Sequence, residues 1–426
     1  MSTSPGAVSA AIPRPRSPLS SGPADPSAKH GHGRRLRAAA DRYGPALGVY
    51  GLVKLAGFTT FMLLLNDAGD YLGKHPRFGG GARPWDVLAS WDGWWYQQVA
   101  QYGYHPQLVP VVGQGAFTVQ ENSAAFFPLY PGLMRLVSDC TGLGLYGAGM
   151  LVSVLTSFAA AAGIFGVTTR LGGARAGLIA AALWGLAPGS GVEWALYSDS
   201  TFVALAAWAC YTVMTGRWLT AGSLTLVAGL NRPTAAALVA ALGVAGLIAL
   251  YRRTDGIARP LAAITMAPLG LLGYVGWVGW RMGDWGGYFK LQRGAWMHYF
   301  DWGASTLNTV FSVLYGHRDY QFVYPVEDLV AMAVLIALPV LVVLLLRLRP
   351  PAVLVVYTLV TIVTALGSQQ IFGNTSRYLL PAFPLLIPLA LALRRLSLRV
   401  LVTVLGTTAL ASGWFAGYVL FELGVP

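Results

Sequence analysis

The sequence has 426 residues, of which 55% are hydrophobic and only 11% charged. That charged share is roughly half of what a soluble domain carries, so the chain cannot clothe one apolar core in a solvated surface. A soluble enzyme, a disordered protein and a coiled coil are excluded, and a polytopic helical membrane protein remains. The formal net charge of +12 does not mark a nucleic-acid binder, because the basic residues stand at the ends of apolar runs. The two cysteines, Cys140 and Cys210, are far apart, and Cys210 lies inside an apolar run, which argues against a disulfide framework. Only four of the 29 basic residues are lysine. That bias points to a GC-rich bacterial genome, and hence to a bacterial plasma membrane.

Residues 1–44 form a tail rich in Pro, Ser, Ala and Gly that ends in a basic cluster. Such a tail cannot bury enough apolar area to fold, and it is expected to be disordered and cytoplasmic. Residues 45–426 are expected to form the transmembrane domain. The first apolar run, 45–66, reads as an uncleaved signal anchor. Ten more follow at about 141–169, 174–191, 198–216, 218–231, 233–251, 260–281, 328–346, 352–371, 378–393 and 398–420. The pattern predicts an all-α polytopic bundle of about 11 spans, with a half-buried helix near 126–138.

With the N-terminus in the cytoplasm and spans alternating, the cytoplasmic segments collect 18 of the 29 basic residues against three acidic ones. The long loops 67–140 and 282–327 then lie outside the cytoplasm. So do the short polar connections near Glu193–Ser200, Asn231–Arg232 and Gln369–Arg377. Polar residues gathered at one face suggest chemistry at the membrane surface on a lipid-bound substrate.

Along the chain, the first such feature is Trp91-Asp92-Gly93-Trp94-Trp95-Tyr96. Indoles offer flat apolar faces to a sugar, and a carboxylate among them can take a proton from a hydroxyl. Aromatic residues alone would also suit an interfacial belt. Phe126-Phe127-Pro128-Leu129-Tyr130-Pro131 reads as a turn that shapes a site. Glu193 and Tyr197-Ser198-Asp199-Ser200 sit at outer span ends. There Asp199 or Ser198 could cap a helix, and the acids could instead orient a substrate. Arg232, between Asn231 and Pro233, needs a partner at the membrane rim. Asp199, Glu193 or a phosphate would serve, and Pro233 suits the first turn of the next helix. Gln292 and Trp296 lie on an amphipathic segment, 288–296, suited to the outer leaflet. Arg377, followed by Tyr378, is a second candidate for an anionic headgroup. The histidines are scattered without metal-ligand spacing.

In this order, the motifs Trp91-Asp92-Gly93-x-x-Tyr96 with Tyr102-Gly103-Tyr104, Phe126–Pro131, Tyr197–Ser200, Arg232-Pro233 and Arg377-Tyr378-Leu379-Leu380-Pro381 resemble the PIG-V-like mannosyltransferases. These belong to the GT-C class of integral membrane glycosyltransferases, and the resemblance spans roughly residues 45–395. It implies a GT-C type bundle and a polyprenyl- or dolichyl-phosphate sugar donor, usually mannose. It also implies inverting transfer on the extracytoplasmic side. The family's outer-loop acid corresponds to Asp92, while the family often has Glu where this chain has Asp199.

The expected reaction is sugar transfer from a polyprenyl-phosphate donor to a lipid, glycan or protein acceptor. Asp92 would be the base, and Arg232 and Arg377 would bind the donor phosphate. Trp91, Trp94, Trp95, Tyr96, Glu193, Tyr197, Asp199, Asn231, Gln292, Trp296 and Tyr378 would shape the substrate site. No cofactor is implied; a divalent metal is compatible with this chemistry and not required by it. The partners are then donor, acceptor and membrane, with no nucleic acid. The competing reading is a transporter or flippase of a lipid-linked substrate, which would need a polar path reaching both faces.

Overall fold

The computed structural model describes residues 26–112, 115–316 and 325–426, with backbone alone for 26–36, 38 and 39. Contacts divide the chain into two units, 1–42 and 43–426, and the packing below is that of the second. Residues 1–25 of the expected disordered tail lie outside the described residues. From Pro26 the backbone is helical.

The chain is an all-α polytopic membrane protein. In order, its helices are α1 (Pro26–Ala68), α2 (Asp92–Tyr102), α3 (Leu129–Thr141), α4 (Leu145–Gly172), α5 (Ala174–Gly185), α6 (Asp199–Met214), α7 (Trp218–Gly229) and α8 (Ala235–Arg252). There follow α9 (Ala258–Met266), α10 (Leu269–Met282), α11 (Gly287–Trp296), α12 (Ala304–Leu314), α13 (Pro325–Arg347), α14 (Ala352–Leu366), α15 (Thr375–Tyr378), α16 (Leu386–Leu393) and α17 (Leu398–Ser412). A two-residue antiparallel pair joins Tyr299–Phe300 to Ser368–Gln369.

Among the described residues, six helices are long and apolar enough to cross a membrane: 40–68, 145–172, 235–252, 258–282, 325–347 and 398–423. The pair 372–378 and 383–393, bent by 84°, would make a seventh. The expected spans at 174–191, 198–216, 218–231 and 352–371 are helices of only 12, 16, 12 and 15 residues. About 20 residues are needed to cross a bilayer. These apolar runs give up one end each to irregular segments at 186–198, 230–234 and 367–374, which carry Glu193, Tyr197, Asn231 and Arg232 of the candidate site residues.

The core is made by small residues that let helix backbones approach. Ala160, Ala161, Ala180, Ala181, Ala206 and Ala207 are fully buried where α4, α5 and α6 meet. A Cβ on Gly163 would stand 2.8 Å from that of Ala207, so the α4–α6 crossing requires glycine there. Trp184 of α5 stacks on Tyr50 of α1 at 5.8 Å. At one end of the bundle Arg175 and Arg394 donate to the carbonyls of Leu396 and Gly172, tying two basic loops together. The loops carrying the predicted site leave from the other ends of α5 and α16.

Candidate active site

Asp92 is the first residue of α2, and its placement begins with a strained neighbour. Trp91 has φ +56° and ψ −116°, a region that costs a non-glycine residue energy unless its surroundings enforce it. Its N–H donates to the Arg77 carbonyl at 2.9 Å, and its ring packs edge-on to Phe78 at 5.3 Å. α2 lies close on the 195–197 segment: a Cβ on Gly93 would meet that of Leu196 at 3.2 Å.

Arg377 comes from α15, the short helix before the 84° bend. The bend falls where Pro381 supplies no N–H to continue the ladder. The Arg377 guanidinium donates through Nη2 to Asp92 Oδ2 at 2.5 Å and to Asp199 Oδ2 at 3.3 Å. Through Nη1 it donates to the Pro426 carbonyl at 2.6 Å, and it lies 4.6 Å from the centre of the Tyr197 ring. The other oxygen of Asp199 pairs with Arg232.

The result is a row of alternating charge: Asp92, Arg377, Asp199, Arg232. Its inner members are sealed, with side-chain exposures of 5% for Arg377 and 2% for Asp199. Its outer members are open, at 33% for Asp92 and 17% for Arg232. One carboxylate and one guanidinium are therefore open at the two ends of the row, while a neutral, buried pair fixes the space between them.

Ser198 holds the segment from two sides. Its hydroxyl is 2.6 Å from the Tyr96 hydroxyl, and its carbonyl accepts from Asn231 Nδ2 at 2.9 Å. It therefore does not cap α6, and Asp199 serves the two arginines. Pro233 also departs from expectation. It precedes Thr234, the N-cap of α8, so it lies outside the first turn. Tyr378 is half-buried beside Arg377.

The expected aromatic lining divides. Trp95 stacks on Phe126 at 5.5 Å, and Trp94 and Trp296 meet it edge-on at 4.9 and 5.9 Å. Trp91 stands apart against Phe78. Gln292 donates to the Ala125 carbonyl and to the Tyr288 hydroxyl, both at 3.1 Å, and so braces this cluster from α11. α11 does not simply lie on a leaflet, because the amides of Thr118 and Val119 donate to the Gly294 carbonyl.

Glu193 is separated from the row. It pairs with Lys54 at 3.0 Å and accepts from the Tyr50 hydroxyl at 2.7 Å, so Asp199 alone of the two acids holds Arg232. Lys54, Tyr50 and Arg77 are residues that the motif reading passed over, and Ser198 was read only as a helix cap. Lys54 carried a signal, since a lysine midway along an apolar run demands a partner. Both cysteines are free. Among the described residues, no three His, Cys, Asp or Glu side chains converge as a metal site.

No protein-family model matches the sequence, and no curated protein matches it either. Solved structures show likeness of arrangement. ArnT from Cupriavidus metallidurans bound to undecaprenyl phosphate is 16% identical, with a TM-score of 0.49 over 82% of this chain and 60% of that one. An oligosaccharyltransferase from Archaeoglobus fulgidus, tethered with an acceptor peptide, is 13% identical, with a TM-score of 0.46 over 89% of this chain and 56% of that one. The chain thus spans about three fifths of the length of the solved chains it is similar to.

Proposed function

We propose that this protein is an integral membrane glycosyltransferase of the GT-C kind. In this reading it moves a sugar, mannose by the motif resemblance, from a polyprenyl-phosphate donor to a hydroxyl of a lipid, glycan or protein acceptor. Transfer takes place on the extracytoplasmic side with inversion at the anomeric carbon. The observation that carries the reading is the four-residue charge row, open at a carboxylate and at a guanidinium and sealed between.

The open carboxylate of Asp92 takes the proton of the acceptor hydroxyl. The acceptor oxygen attacks the anomeric carbon from the side opposite the phosphate. The bond from that carbon to the phosphate oxygen breaks, and its electron pair leaves with the lipid phosphate. A single displacement of this kind inverts the centre. Arg232 receives the growing negative charge on the phosphate, so no acid is needed at the leaving group. Arg377 fixes Asp92 and Asp199 in their places and reaches no further than those two carboxylates, the Pro426 carbonyl and the face of Tyr197. The sequence reading gave Arg377 a phosphate-binding role; its burial favours that of an organiser.

The reading is tested by incubating purified protein with radiolabelled polyprenyl-phosphate-mannose and host membranes. A labelled acceptor product that depends on the protein supports it. Label that remains on the donor while the donor crosses to the other leaflet supports a flippase and overturns it.

A further inference from the structure

The Lys54–Glu193 ion pair is a buried pair of charges that the transfer chemistry leaves unused. Lys54 lies midway along α1 and is 7% exposed. Its ammonium is 3.0 Å from Glu193 Oε2, donates to the Ser190 carbonyl at 2.9 Å and sits 4.0 Å from the centre of the Trp194 ring. The Tyr50 hydroxyl, one turn earlier on the same helix, donates to the same Glu193 oxygen at 2.7 Å. Four contacts from one face of α1 thus converge on the five residues 190–194.

The same stretch is pressed from its other sides. A Cβ on Gly189 would lie 2.4 Å from the Arg377 Cα, and one on Gly191 would lie 1.6 Å from the Ala416 carbonyl oxygen. Beyond Trp194 the Leu196 N–H donates to the Leu88 carbonyl at 3.0 Å. Tyr197 then supports the Arg377 guanidinium, and Asp199 bridges both arginines. An apolar pair at 54 and 193 could supply the packing, and buried ion pairs are weak sources of stability. What an apolar pair could not supply is direction. A lysine can bind a carboxylate and a backbone carbonyl at once, and so sets both the height and the rotation of the turn.

We propose that Lys54 and Glu193 are positioning residues. They lock the 189–199 segment against α1, so that Asp199 holds Arg377 and Arg232 in register with Asp92. The kinetic part of this proposal rests on the glycosyl-transfer reading; the structural part does not.

The test compares wild type, E193Q and the doubly apolar K54M/E193M, each as the full chain in nanodiscs. The double variant is expected to insert normally. Its amides over 189–199 should exchange at least about tenfold faster while those of α17 stay unchanged. Its kcat for transfer should fall about tenfold or more, with the donor KM within about twofold, because misplaced groups lose reaction rate more than ground-state binding. E193Q should move both quantities in the same direction, and it decides the matter if the double variant does not insert. Wild-type exchange over 189–199 in the variants, or faster exchange with an unchanged kcat, overturns the proposal. Should the wild type itself make no transfer product, the glycosyltransferase reading fails, and exchange over 189–199 still decides whether the pair is a lock.

Discussion

Arg377 touches Asp92 and Asp199 through a single nitrogen, Nη2, at 2.5 and 3.3 Å. One guanidinium is therefore the counter-charge for two carboxylates that come from helices far apart in sequence. Replacing it strips Asp92 of this ion pair and leaves the buried Asp199 with Arg232 alone. R377A should cost about 3–5 kcal/mol of stability, the usual penalty for breaking a buried ion pair. R377K keeps the charge but loses the fork, and should cut transfer about 100-fold or more while the protein still inserts. Thermal unfolding in detergent and a transfer assay, run on both variants, check this. Wild-type transfer by R377K would contradict it.

Arg232 is the open cation of the row. If it receives the donor phosphate, R232Q removes one charge-assisted contact worth about 1.5–3 kcal/mol. The donor KM should rise roughly 10- to 150-fold, since each 1.4 kcal/mol is a factor of ten. Acceptor KM should stay near wild type. Initial rates measured against each substrate in turn separate these effects, and a change confined to the acceptor would reassign the residue.

Gly189 allows the loop to pass against the backbone of Arg377. A methyl group there would lie 2.4 and 2.5 Å from the Cα and N of Arg377. G189A must therefore push α15 away from the row. Backbone overlap of this kind costs about 1–3 kcal/mol in a packed interior, and an ångström of displacement can cost about 100-fold in rate. Transfer should fall at least tenfold, with insertion preserved. An active G189A would show that the 189–199 segment does not set the position of Arg377.

Asp284 gives a pH dependence whose sign can be worked out. It lies in the turn before α11, outside the spanning helices. A hydrogen bond from the Lys290 ammonium, then one from the Gly286 N–H at 2.8 Å, holds its carboxyl below the ordinary aspartate value. The folded value is depressed, so the carboxylate's stabilisation of this turn is fully present above the unfolded pKa of about 3.9 and is lost as pH falls through the folded pKa. D284N should speed amide exchange over 287–296 at pH 6, and the difference from wild type should shrink as pH falls through the folded pKa of Asp284. A difference that persists in acid would assign the effect to packing.

Much of the architecture was legible because membrane helices write themselves as long apolar runs. All eleven runs contain helix, but four of those helices are too short to span and a fifth run, 378–393, is broken by the 84° bend. Hydropathy registers apolar content; it carried the fifth helix on to 191, although the helix ends at Gly185. The charged residues were conspicuous too: Asp199, Arg232 and Arg377 stand at the ends of apolar runs, where charge is costly, and Asp92 stands among indoles. Which charge meets which was not legible. Asp199 and Glu193 are six positions apart, and both could have faced Arg232. Lys54, 139 residues before Glu193 in sequence, claims one of them and leaves the other. The indoles were visible as a group, yet only the folded arrangement separates Trp91, packed on Phe78, from the cluster of Trp94, Trp296 and Phe126 around Trp95.

The central claim is that the Asp92 carboxylate takes the acceptor's proton. The most direct measurement is a transfer assay on D92N beside a binding assay with polyprenyl phosphate alone. D92N keeps the shape of the side chain and removes its basicity. The account predicts lipid-phosphate binding within about threefold of wild type and a loss of transfer of at least about 1,000-fold, on the scale of removing a catalytic base. Transfer retained within tenfold of wild type would contradict it.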